Sequence, residues 1–280
     1  MAADRVWFIT GASRGFGLEI TREALSRGDS VVASARNPQA VLDAIPDAAD
    51  RLLAVAVDVG DPAQITAAVE AAIARFGHVD VLVNNAGRGL VGSVEETSDE
   101  EIRAIFDVNV FGLLAITRAV LPHMRARGTG LVVNLSSVGG FVAWPGWGAY
   151  AATKFAVEAL SEAMTHELAP LGIRSVAIEP GPFRTNFLDG SSLGFTRHVI
   201  EDYASTAGAA RTWATDSNYG QQGDPVKAAK IIVDLADRED LPERIQLGAN
   251  AFEDVAAKLA RTARDQETWR TVSLSADFDG

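Results

Sequence analysis

An alternation of two sequence patterns constrains the fold of this chain more than any other feature. Short runs rich in Val, Ile and Leu predict buried strands, and the longer Ala-, Leu- and Glu-rich runs between them have helical spacing. The predicted strands are Val6–Thr10, Ser30–Ala35, Leu52–Val57, Val79–Asn84, Gly130–Leu135 and Arg174–Glu179, and the predicted helices are Phe16–Arg27, Pro62–Phe76, Asp99–Arg127 and Tyr150–Leu171. Strands that alternate with helices form βαβ units, whose strands lie parallel in one sheet. We therefore predict an α/β fold, a doubly wound parallel sheet with helices on both faces.

The pattern breaks down between Pro182 and Gly223 and then resumes. This stretch mixes Gly, Ser, Asp and Thr with scattered aromatic side chains, which is typical of an irregular binding loop or lid. Beyond it we predict a helix from Asp224-Pro225 to about Ala236, a strand over Glu243–Leu247 and a helix over Asn250–Arg261. The sequence predicts a single domain over residues 1–262, with the substrate loop 182–223 inserted in it and a polar C-terminal tail over 263–280.

Composition narrows the classes of partner. The chain has 280 residues, a net charge of −12 and no cysteine. An acidic chain is not expected to bind nucleic acid or an anionic membrane surface non-specifically, and a chain without cysteine has neither disulfides nor thiolate zinc ligands. The N-terminal apolar stretch, Val6–Ile9, is too short for a signal peptide, and we find no apolar run of membrane-spanning length. We expect a cytoplasmic protein with no metal site, no nucleic-acid partner and no membrane partner.

A glycine-rich turn links the first predicted strand to the first predicted helix. It runs from Thr10 to Gly17, and its candidate cofactor-binding residues are Gly11, Ser13, Arg14, Gly15, Phe16 and Gly17. Glycines let the backbone approach a phosphate, and the free N–H groups of a helix N-terminus attract negative charge, so the turn suits the pyrophosphate of a dinucleotide in a Rossmann-type fold. The spacing G-x-x-x-G-x-G differs from the usual G-x-G-x-x-G, and a tight turn without a ligand is the alternative interpretation.

The same residues fit a second motif. Gly11-Ala12-Ser13-Arg14-Gly15 matches G-x-S-x-G, the nucleophile elbow of α/β-type serine hydrolases. That elbow usually follows several strands and needs an oxyanion loop before it, whereas a single predicted strand precedes this turn. A serine hydrolase is therefore a remote alternative.

The end of the second predicted strand bears on the choice of nicotinamide cofactor. An acidic residue about twenty positions past the glycines would bind the ribose 2′-hydroxyl of NAD, but this strand ends with Ser34-Ala35-Arg36. The guanidinium groups of Arg14 and Arg36 suit the negative charge and the acceptor oxygens of a 2′-phosphate. We predict NADP(H) as the cofactor, the alternative being that both arginines are solvated surface residues.

Three polar side chains form the candidate catalytic centre. Tyr150 and Lys154 lie one turn apart on one face of a predicted helix, and Ser137 follows the fifth predicted strand. The carboxyl ends of parallel strands line the ligand crevice, so these side chains are expected to converge there. A cationic lysine would lower the pKa of the tyrosine from about 10 and let it transfer a proton near neutral pH. Tyr150 would act as the general acid or base, and Ser137 would donate a hydrogen bond to the same substrate oxygen.

Several motifs occur together, in an order and at a spacing that resemble the classical short-chain dehydrogenase/reductase family. The matching segments are Thr10–Gly17, Asp58, Asn84-Asn85-Ala86-Gly87, Asn109, Ser136-Ser137, Tyr150-Ala151-Ala152-Thr153-Lys154 and Pro180-Gly181-Pro182, which cover roughly residues 5–190. Each segment alone has an ordinary explanation, such as a turn, a strand end or a surface pair, and only the set points to a family. The segment Leu241–Asn250 also resembles the branch of hydroxysteroid and retinol dehydrogenase-like enzymes.

The resemblance implies an NADP(H)-dependent oxidoreductase that moves a hydride between nicotinamide and a carbonyl or alcohol carbon. It implies that Asn109, Ser137, Tyr150 and Lys154 are catalytic, with Lys154 also holding the nicotinamide ribose and Asn109 linking it to a relay water. The other residues implied to bind the cofactor, together with Tyr150 and Lys154, are Asp58, Val59, Asn85, Ala86, Gly87, Pro180, Gly181, Phe183 and Thr185. A non-catalytic NADP(H)-sensing protein of the same fold is the alternative, but such proteins commonly lose the tyrosine or the lysine.

Aromatic side chains are concentrated around the predicted centre. The candidate substrate pocket consists of Ser137, Phe141, Trp144, Trp147, Tyr150 and Phe187, and Phe195, Tyr203 and Trp213 are candidates to close over it. Flat apolar walls suit a bulky hydrophobic ketone or alcohol. The two long helices predicted over 99–127 and 150–171 carry many small residues, and in the family resembled such helices often form a subunit interface. We predict a homodimer or homotetramer.

Overall fold

The computed structural model of the protein describes residues 4–48 and 50–278. Its strands are β1 (Val6–Thr10), β2 (Ser30–Ala35), β3 (Leu52–Ala56), β4 (Val81–Asn84), β5 (Gly89–Val91), β6 (Gly130–Leu135), β7 (Ile173–Pro180), β8 (Leu193–Phe195) and β9 (Arg244–Leu247). Its α-helices are α1 (Gly15–Ser26), α2 (Gln39–Ala44), α3 (Pro62–Phe76), α4 (Asp99–Phe106), α5 (Leu113–Arg127), α6 (Gly148–Leu168), α7 (Ala209–Asp216), α8 (Pro225–Asp234), α9 (Ala249–Thr268) and α10 (Arg270–Leu274). A short π-helix, Asp107–Gly112, separates α4 from α5.

A parallel sheet forms the centre of the molecule. Within the described residues it has seven strands in the order β3-β2-β1-β4-β6-β7-β9, and its neighbouring strands all run parallel. The chain winds outward from β1 to β3 on one side and from β4 to β9 on the other, so the order reverses between β1 and β4. Ligands of such sheets bind outside the carboxyl ends of the strands at this reversal. The predicted single-domain, doubly wound α/β fold is confirmed.

The side chains of β1 show why its sequence is apolar throughout. Trp7 and Ile9 belong to the core cluster shared with α1 and α8, whereas Val6 and Phe8 belong to the cluster shared with α3, α5 and α6. Successive residues of a strand face opposite sides of the sheet. Because helices cover both sides, a strand in this position has no polar face.

Local polar side chains mark where several helices begin. At α4, the Oγ of Ser98 accepts a hydrogen bond from the N–H of Glu101 over 3.3 Å, and Oε2 of Glu101 accepts one from the N–H of Ser98 over 2.9 Å. Asp61 and Asp224 accept in the same way from the first N–H groups of α3 and α8. Such side chains satisfy N–H groups that have no acceptor inside the helix, and they set the starting residue locally.

The structure differs from the predicted elements where a local pattern is weak. The helix predicted over 99–127 is divided by the π-helix, and α2 is a short helix that was not predicted. The strands β5 and β8 pair with each other in a separate sheet, and three residues are too few to show an alternating pattern. The helix predicted over 250–261 continues to Thr268 and is followed by α10, so the predicted tail 263–280 begins inside a helix.

The predicted lid, residues 182–223, is closed at its base. Phe183 and Gly223 form an isolated parallel bridge, and the N–H of Gly223 donates to the carbonyl of Pro182 over 3.1 Å. Between these ends the segment contains β8 and α7, whereas the sequence predicts an irregular loop. The lid is therefore a structured insertion whose two ends meet beside the carboxyl end of β7.

One helical stretch of the described residues, 99–127, is long and apolar enough to cross a membrane by length and composition. This corrects the expectation that no apolar run approaches that length. Ile116, Val120 and Met124 of this stretch are buried in the core between α5 and the sheet, which accounts for part of its apolar character. The cytoplasmic location stays a prediction.

Candidate active site

A cavity of about 670 Å³ opens beside the carboxyl ends of β4, β6 and β7, under the lid. It lies at the reversal of strand order, where the fold is expected to bind a ligand. The sequence-predicted residues that line it are Phe16, Asn85, Gly87, Ser137, Trp144, Trp147, Tyr150, Lys154, Pro180, Gly181, Phe183, Thr185 and Phe187. The structure thus brings candidate catalytic, cofactor-binding and substrate-binding residues to one place.

Tyr150 and Lys154 project from α6 into this cavity and are almost fully buried. The Nζ of Lys154 donates to the carbonyl of Leu135 at the end of β6 over 2.7 Å and lies 6.0 Å from the centroid of the Tyr150 ring. The Oγ of Ser137 accepts from the N–H of Gly139 over 2.9 Å, and a Cβ built on Gly139 would lie 3.3 Å from that Oγ and 3.2 Å from Cε1 of Tyr150. Two hydroxyl groups and an ammonium group therefore meet on one wall of the cavity.

Burial dominates the proton affinities of this wall. It raises the pKa of Tyr150 to about 12, against the opposing effect of the neighbouring Ser137 hydroxyl. It lowers the pKa of Lys154 to about 8, against the opposing effect of the negative charge on Glu158. The expectation that Lys154 lowers the tyrosine pKa is therefore not met here, because desolvation of the phenolate outweighs the other influences.

Asn109 occupies the π-helix between α4 and α5, and its side chain is buried. Its Oδ1 accepts from the N–H of Arg88 over 2.8 Å, and its Nδ2 donates to the Arg88 carbonyl over 2.9 Å and to Oγ1 of Thr153 over 3.0 Å. A Cβ built on Gly87 would lie 3.3 Å from Oδ1 of Asn109 and 3.7 Å from Nζ of Lys154. The π-helix, a conformation frequent at functional sites, thus places this amide beside the catalytic lysine candidate.

The glycine turn after β1 has the open backbone that a dinucleotide needs. The helix α1 begins at Gly15 without a side-chain cap, which leaves the N–H groups of its first turn for a ligand. A Cβ built on Gly17 would lie 2.4 Å from the carbonyl oxygen of Gly11 and 2.5 Å from Nδ2 of Asn85, so the turn requires glycine there. The same Nδ2 donates to the carbonyl of Thr10 over 2.8 Å and ties the turn to the end of β4. This cradle fits the pyrophosphate of a nicotinamide dinucleotide.

Aromatic rings surround Tyr150 on the lid side of the cavity. The ring centroid of Trp147 lies 5.8 Å from that of Tyr150 and 6.1 Å from that of Trp213, both in edge-to-face geometry. The ring of Phe187 lies 5.5 Å from that of Tyr150. Since Phe187 and Trp213 belong to the lid, the lid supplies an apolar wall opposite the sheet.

Comparison with known proteins identifies the family. A family model described as short chain dehydrogenase matches residues 5–193 of the chain. The chain belongs to the short-chain dehydrogenase family. A short-chain dehydrogenase of known structure from Streptomyces avermitilis is 42% identical, with a TM-score of 0.92, over 99% of this chain and 100% of that chain. The oxidoreductase BOA17 of Botryotinia fuckeliana is 34% identical over 97% of this chain and 99% of its own length.

A further solved relative has a nicotinamide cofactor bound. The 3-ketoacyl-(acyl-carrier-protein) reductase from Brucella melitensis, complexed with NADH, is 30% identical with a TM-score of 0.74 and matches 87% of this chain and 96% of its own. As a member of this family the chain is an oxidoreductase, and the family binds nicotinamide cofactors. The resemblance to the hydroxysteroid and retinol dehydrogenase-like branch stays a prediction.

The dehydrogenase places its two candidate 2′-phosphate ligands in different surroundings. Arg36 is exposed just beyond the end of β2 and forms no hydrogen bond with another described residue. Arg14, in the glycine turn, donates to Oγ of Ser191 over 2.5 Å and to Oγ of Ser192 over 2.8 Å. The lid therefore engages one of the two arginines, a contact across a long stretch of sequence that no local pattern predicts.

The remaining predicted cofactor residues do not line this cavity. Asp58 is exposed after β3, and Val59 beside it packs against Gly112 of the π-helix. The N–H of Ala86 donates to Oγ1 of Thr10 over 2.9 Å. These residues lie along the same edge of the sheet as the glycine turn, where the adenosine half of a cofactor would extend.

Phe141 does not line the cavity, contrary to the prediction. It packs with Val255 of α9, and its ring centroid lies 5.5 Å from Nζ of Lys258 and 5.8 Å from the guanidinium carbon of Arg244. The short helical turn that follows Ser137 directs this side chain toward α9, away from the lid. Of the other lid aromatics considered, Phe195 and Tyr203 also lie outside the lining, and only Trp213 reaches it.

Sequence reasoning missed several residues that line the cavity: Arg88, Ser205, Thr206, Ala209, Ala210, Gln221, Asn250 and Asp254. Part of this set had a local signal. Ala210 and Trp213 of α7 and Thr206, which lies one turn before Ala210, recur at helical spacing, so a helix with one face toward the cavity could have been predicted here. Asn250 and Asp254 had none, because only the packing of α9 brings them to the cavity.

Nothing in the site supports a serine hydrolase. The Ser13 hydroxyl forms no hydrogen bond with another described residue, and the cavity-lining residues that the structure describes include no histidine. His78 and His166 contact Asp80 and Glu243 instead. A serine nucleophile needs a base within hydrogen-bonding reach, so this alternative lacks its chemistry.

Proposed function

We propose that this short-chain dehydrogenase interconverts a bulky hydrophobic ketone or aldehyde and its alcohol, with NADP(H) as cofactor. The observation that carries the proposal is the meeting of the Tyr150 and Ser137 hydroxyls with the Lys154 ammonium on one cavity wall, opposite aromatic rings. Such a cavity offers proton donors to one oxygen of a ligand and apolar surface to the rest of it.

The proton chemistry follows from the state of the tyrosine. Because burial raises its pKa to about 12, Tyr150 is protonated at neutral pH and can donate its proton to a carbonyl oxygen that gains negative charge. Ser137 donates a second hydrogen bond to the same oxygen. The nicotinamide of a bound cofactor would supply the hydride in reduction and accept it in alcohol oxidation.

Lys154 stabilises the tyrosinate that remains after the proton has left. Its pKa of about 8 keeps most molecules cationic at pH 7. By family resemblance, Lys154 would also hold the nicotinamide ribose, and Asn109 would connect the lysine to a relay water. Alcohol oxidation needs the tyrosinate at the start, so we expect the small fraction of tyrosinate to limit the rate of oxidation at neutral pH.

The two arginines support NADP(H). The side chain after β2 is the exposed guanidinium of Arg36, where a carboxylate would suit the ribose of NAD. The similar reductase from Brucella melitensis was solved with NADH, so likeness to it does not decide between NADPH and NADH. The residue after β2, beside the cofactor ribose, would decide that preference.

We expect Arg36→Ala to weaken NADPH binding by roughly 10- to 150-fold and to leave NADH binding unchanged. This range corresponds to the loss of charge-assisted hydrogen bonds of about 1.5–3 kcal/mol. Arg261→Ala, which removes an exposed arginine of α9, is the control.

The first experiment is NADPH consumption by the purified protein with ketones of increasing size, repeated with NADH. We expect turnover that rises with apolar bulk and that Tyr150→Phe abolishes. Tyr203→Phe is the matched control, because the Tyr203 hydroxyl donates to Oε2 of Glu95 over 2.7 Å outside the cavity. Turnover that survives Tyr150→Phe would refute the catalytic assignment. Tight NADPH binding without turnover of any ketone would favour the cofactor-sensing alternative.

A homodimer or homotetramer is proposed for the assembly. Phe111 of the π-helix and Phe155 of α6 are 56% and 40% exposed, respectively, on the two elements that the family resemblance assigns to the interface. Light scattering is expected to give a multiple of the 29.6 kDa chain mass, and Phe155→Glu is expected to reduce it. A monomeric wild-type protein at micromolar concentration would remove this proposal.

A further inference from the structure

Two buried carboxyl groups, on α6 and on β7, do not line the cavity, and one of them lies a single helical turn from Lys154. Glu158 follows Lys154 by one turn of α6, so the two side chains share a face of the helix. Glu179 lies on β7 opposite this face and is 0% exposed, and Glu158 is 5% exposed. Buried carboxylates are rare unless a partner satisfies them, so this pair needs an explanation.

The pair has few hydrogen-bond donors around it. Both carboxyl oxygens of Glu158 and the Oε1 of Glu179 are buried without a hydrogen-bond partner among the other described residues. The Nε2 of Gln246 donates to the Oε2 of Glu179. Arg244 and Gln246, two residues apart on the same face of β9, contact Glu158 and Glu179 respectively, so the two carboxyl groups lie side by side. Two carboxyl groups form a hydrogen bond only when one of them keeps its proton.

The electrostatics of the pair agree with this geometry. Burial raises the pKa of Glu158, and the neighbouring charge of Glu179 raises it further, while Ser136 and Arg244 oppose the rise. Burial also raises the pKa of Glu179. Two adjacent buried carboxyl groups cannot both ionise easily, so ionisation of one disfavours ionisation of the other.

The other charges near the pair are largely matched elsewhere. On β9, Arg244 lies 3.8 Å from Oε2 of Glu158 but only 2.5 Å from Oε2 of Glu162, a carboxylate on the outer part of α6. On α9, Lys258 lies over the rings of Phe141 and Phe155. Within the described residues neither Lys258 nor Lys154 forms an ion pair: Lys258 donates to the carbonyl of Phe141, whereas Lys154 donates to the carbonyl of Leu135 and shares a helix face with Glu158. Burial lowers the pKa of Lys154, and the charge on Glu158 opposes that change.

We propose that Glu158 and Glu179 share one proton and that their single negative charge keeps the buried Lys154 protonated. Both are then positioning residues that act through Lys154 and touch neither substrate nor cofactor. Their effect on the reaction rests on the proposed function of Lys154 and Tyr150, whereas their effect on the charge of Lys154 does not.

The number of negative charges left in each variant distinguishes this proposal from an ordinary structural role for the two carboxyl groups. Glu158→Gln leaves Glu179 as a lone carboxyl group, which ionises, and Glu179→Gln leaves Glu158 in the same condition. Each single variant therefore keeps one negative charge beside Lys154. The double variant has none, although it replaces the same two groups with isosteric amides.

The test is the titration of Lys154 by NMR in protein labelled at the lysine ε position. The chain has four lysines, at positions 154, 227, 230 and 258, so Lys154→Met assigns the signal. We expect each single variant to change the Lys154 pKa by less than about half a unit, and the double variant to lower it by about one unit or more. Glu167→Gln, which removes an exposed carboxylate farther along α6, should leave it unchanged.

Two results would overturn the proposal. One is a double variant whose Lys154 titrates as in the wild type, and the other is a single variant that lowers the pKa as much as the double variant does. If the double variant does not fold, infrared spectroscopy of the wild type and the single variants tests the proposal instead. The wild type at pH 7 should show a protonated carboxyl band that each folded single variant lacks. Absence of this band from the wild type also refutes the proposal. Failure of the proposed function would give a different result, namely turnover that survives Tyr150→Phe.

Discussion

The closest backbone approach in the glycine turn makes a quantitative prediction for Gly17→Ala. The new Cβ would lie 2.4 Å from the carbonyl oxygen of Gly11 and 2.5 Å from Nδ2 of Asn85. Neither atom is the end of a flexible chain free to move, because that Nδ2 is bonded to the carbonyl groups of Thr10 and Gly11. The turn must therefore shift away from α1, at the cost of about 1–3 kcal/mol typical of an overpacked site.

The shift displaces the N–H groups that would face the pyrophosphate. If most of this energy is lost from cofactor binding, the Kd for NADPH rises by roughly 5- to 150-fold, since 1.4 kcal/mol is a factor of ten. The part lost from folding lowers Tm by a few degrees.

Fluorescence titration with NADPH measures the first effect and thermal unfolding the second. The matched control is Gly190→Ala in the lid, where a Cβ would meet nothing within 4 Å. Wild-type NADPH affinity and Tm in Gly17→Ala would refute the assignment of this turn as a tightly packed cofactor cradle.

Three further predictions concern the lid and the reaction. Trp213→Ala removes the ring that contacts Trp147, and we expect KM for bulky ketones to rise roughly 2- to 12-fold, the equivalent of about 0.5–1.5 kcal/mol for an aromatic pair. Burial acts to raise the pKa of Glu96, but backbone N–H groups and Arg211 lower it from 4.5 to about 2. A depressed carboxyl pKa stabilises the fold above the unfolded value, so stability should fall from pH 4.5 to pH 2, and less steeply in Glu96→Gln. Because burial raises the pKa of Tyr150, alcohol oxidation measured against pH should increase on the alkaline side while ketone reduction declines.

Each of these has its own control. Phe195→Ala removes a 43% exposed lid aromatic outside the cavity lining, and it should leave KM unchanged. Glu253→Gln removes an exposed carboxylate of α9 and should not alter the acid limb of a chemical unfolding series. Parallel pH profiles for oxidation and reduction would contradict the role of Tyr150 as the group that gains and loses the proton.

The parts of this protein that the sequence determined are those whose signals are local. Continuous apolar runs predicted the strands of the seven-stranded sheet within a residue or two, because a strand that is buried on both faces has no polar face to interrupt the run. The capping box of Ser98 and Glu101 set the start of α4, and the glycines after β1 marked the cradle. Tyr150, Lys154 and Ser137 were found because helical spacing and a strand end bring them to the same crevice.

The parts that only the tertiary structure decided depend on contacts between distant segments. The strands β5 and β8 pair although β6 and β7 lie between them in the sequence. The contact of Arg14 with Ser191 likewise joins residues that are far apart in the sequence. Phe141 was assigned to the pocket by proximity in sequence, yet the packing of α9 drew it away. The raised pKa of Tyr150 likewise depends on burial, since desolvation is a property of everything packed around a group and leaves no trace in the residues beside it.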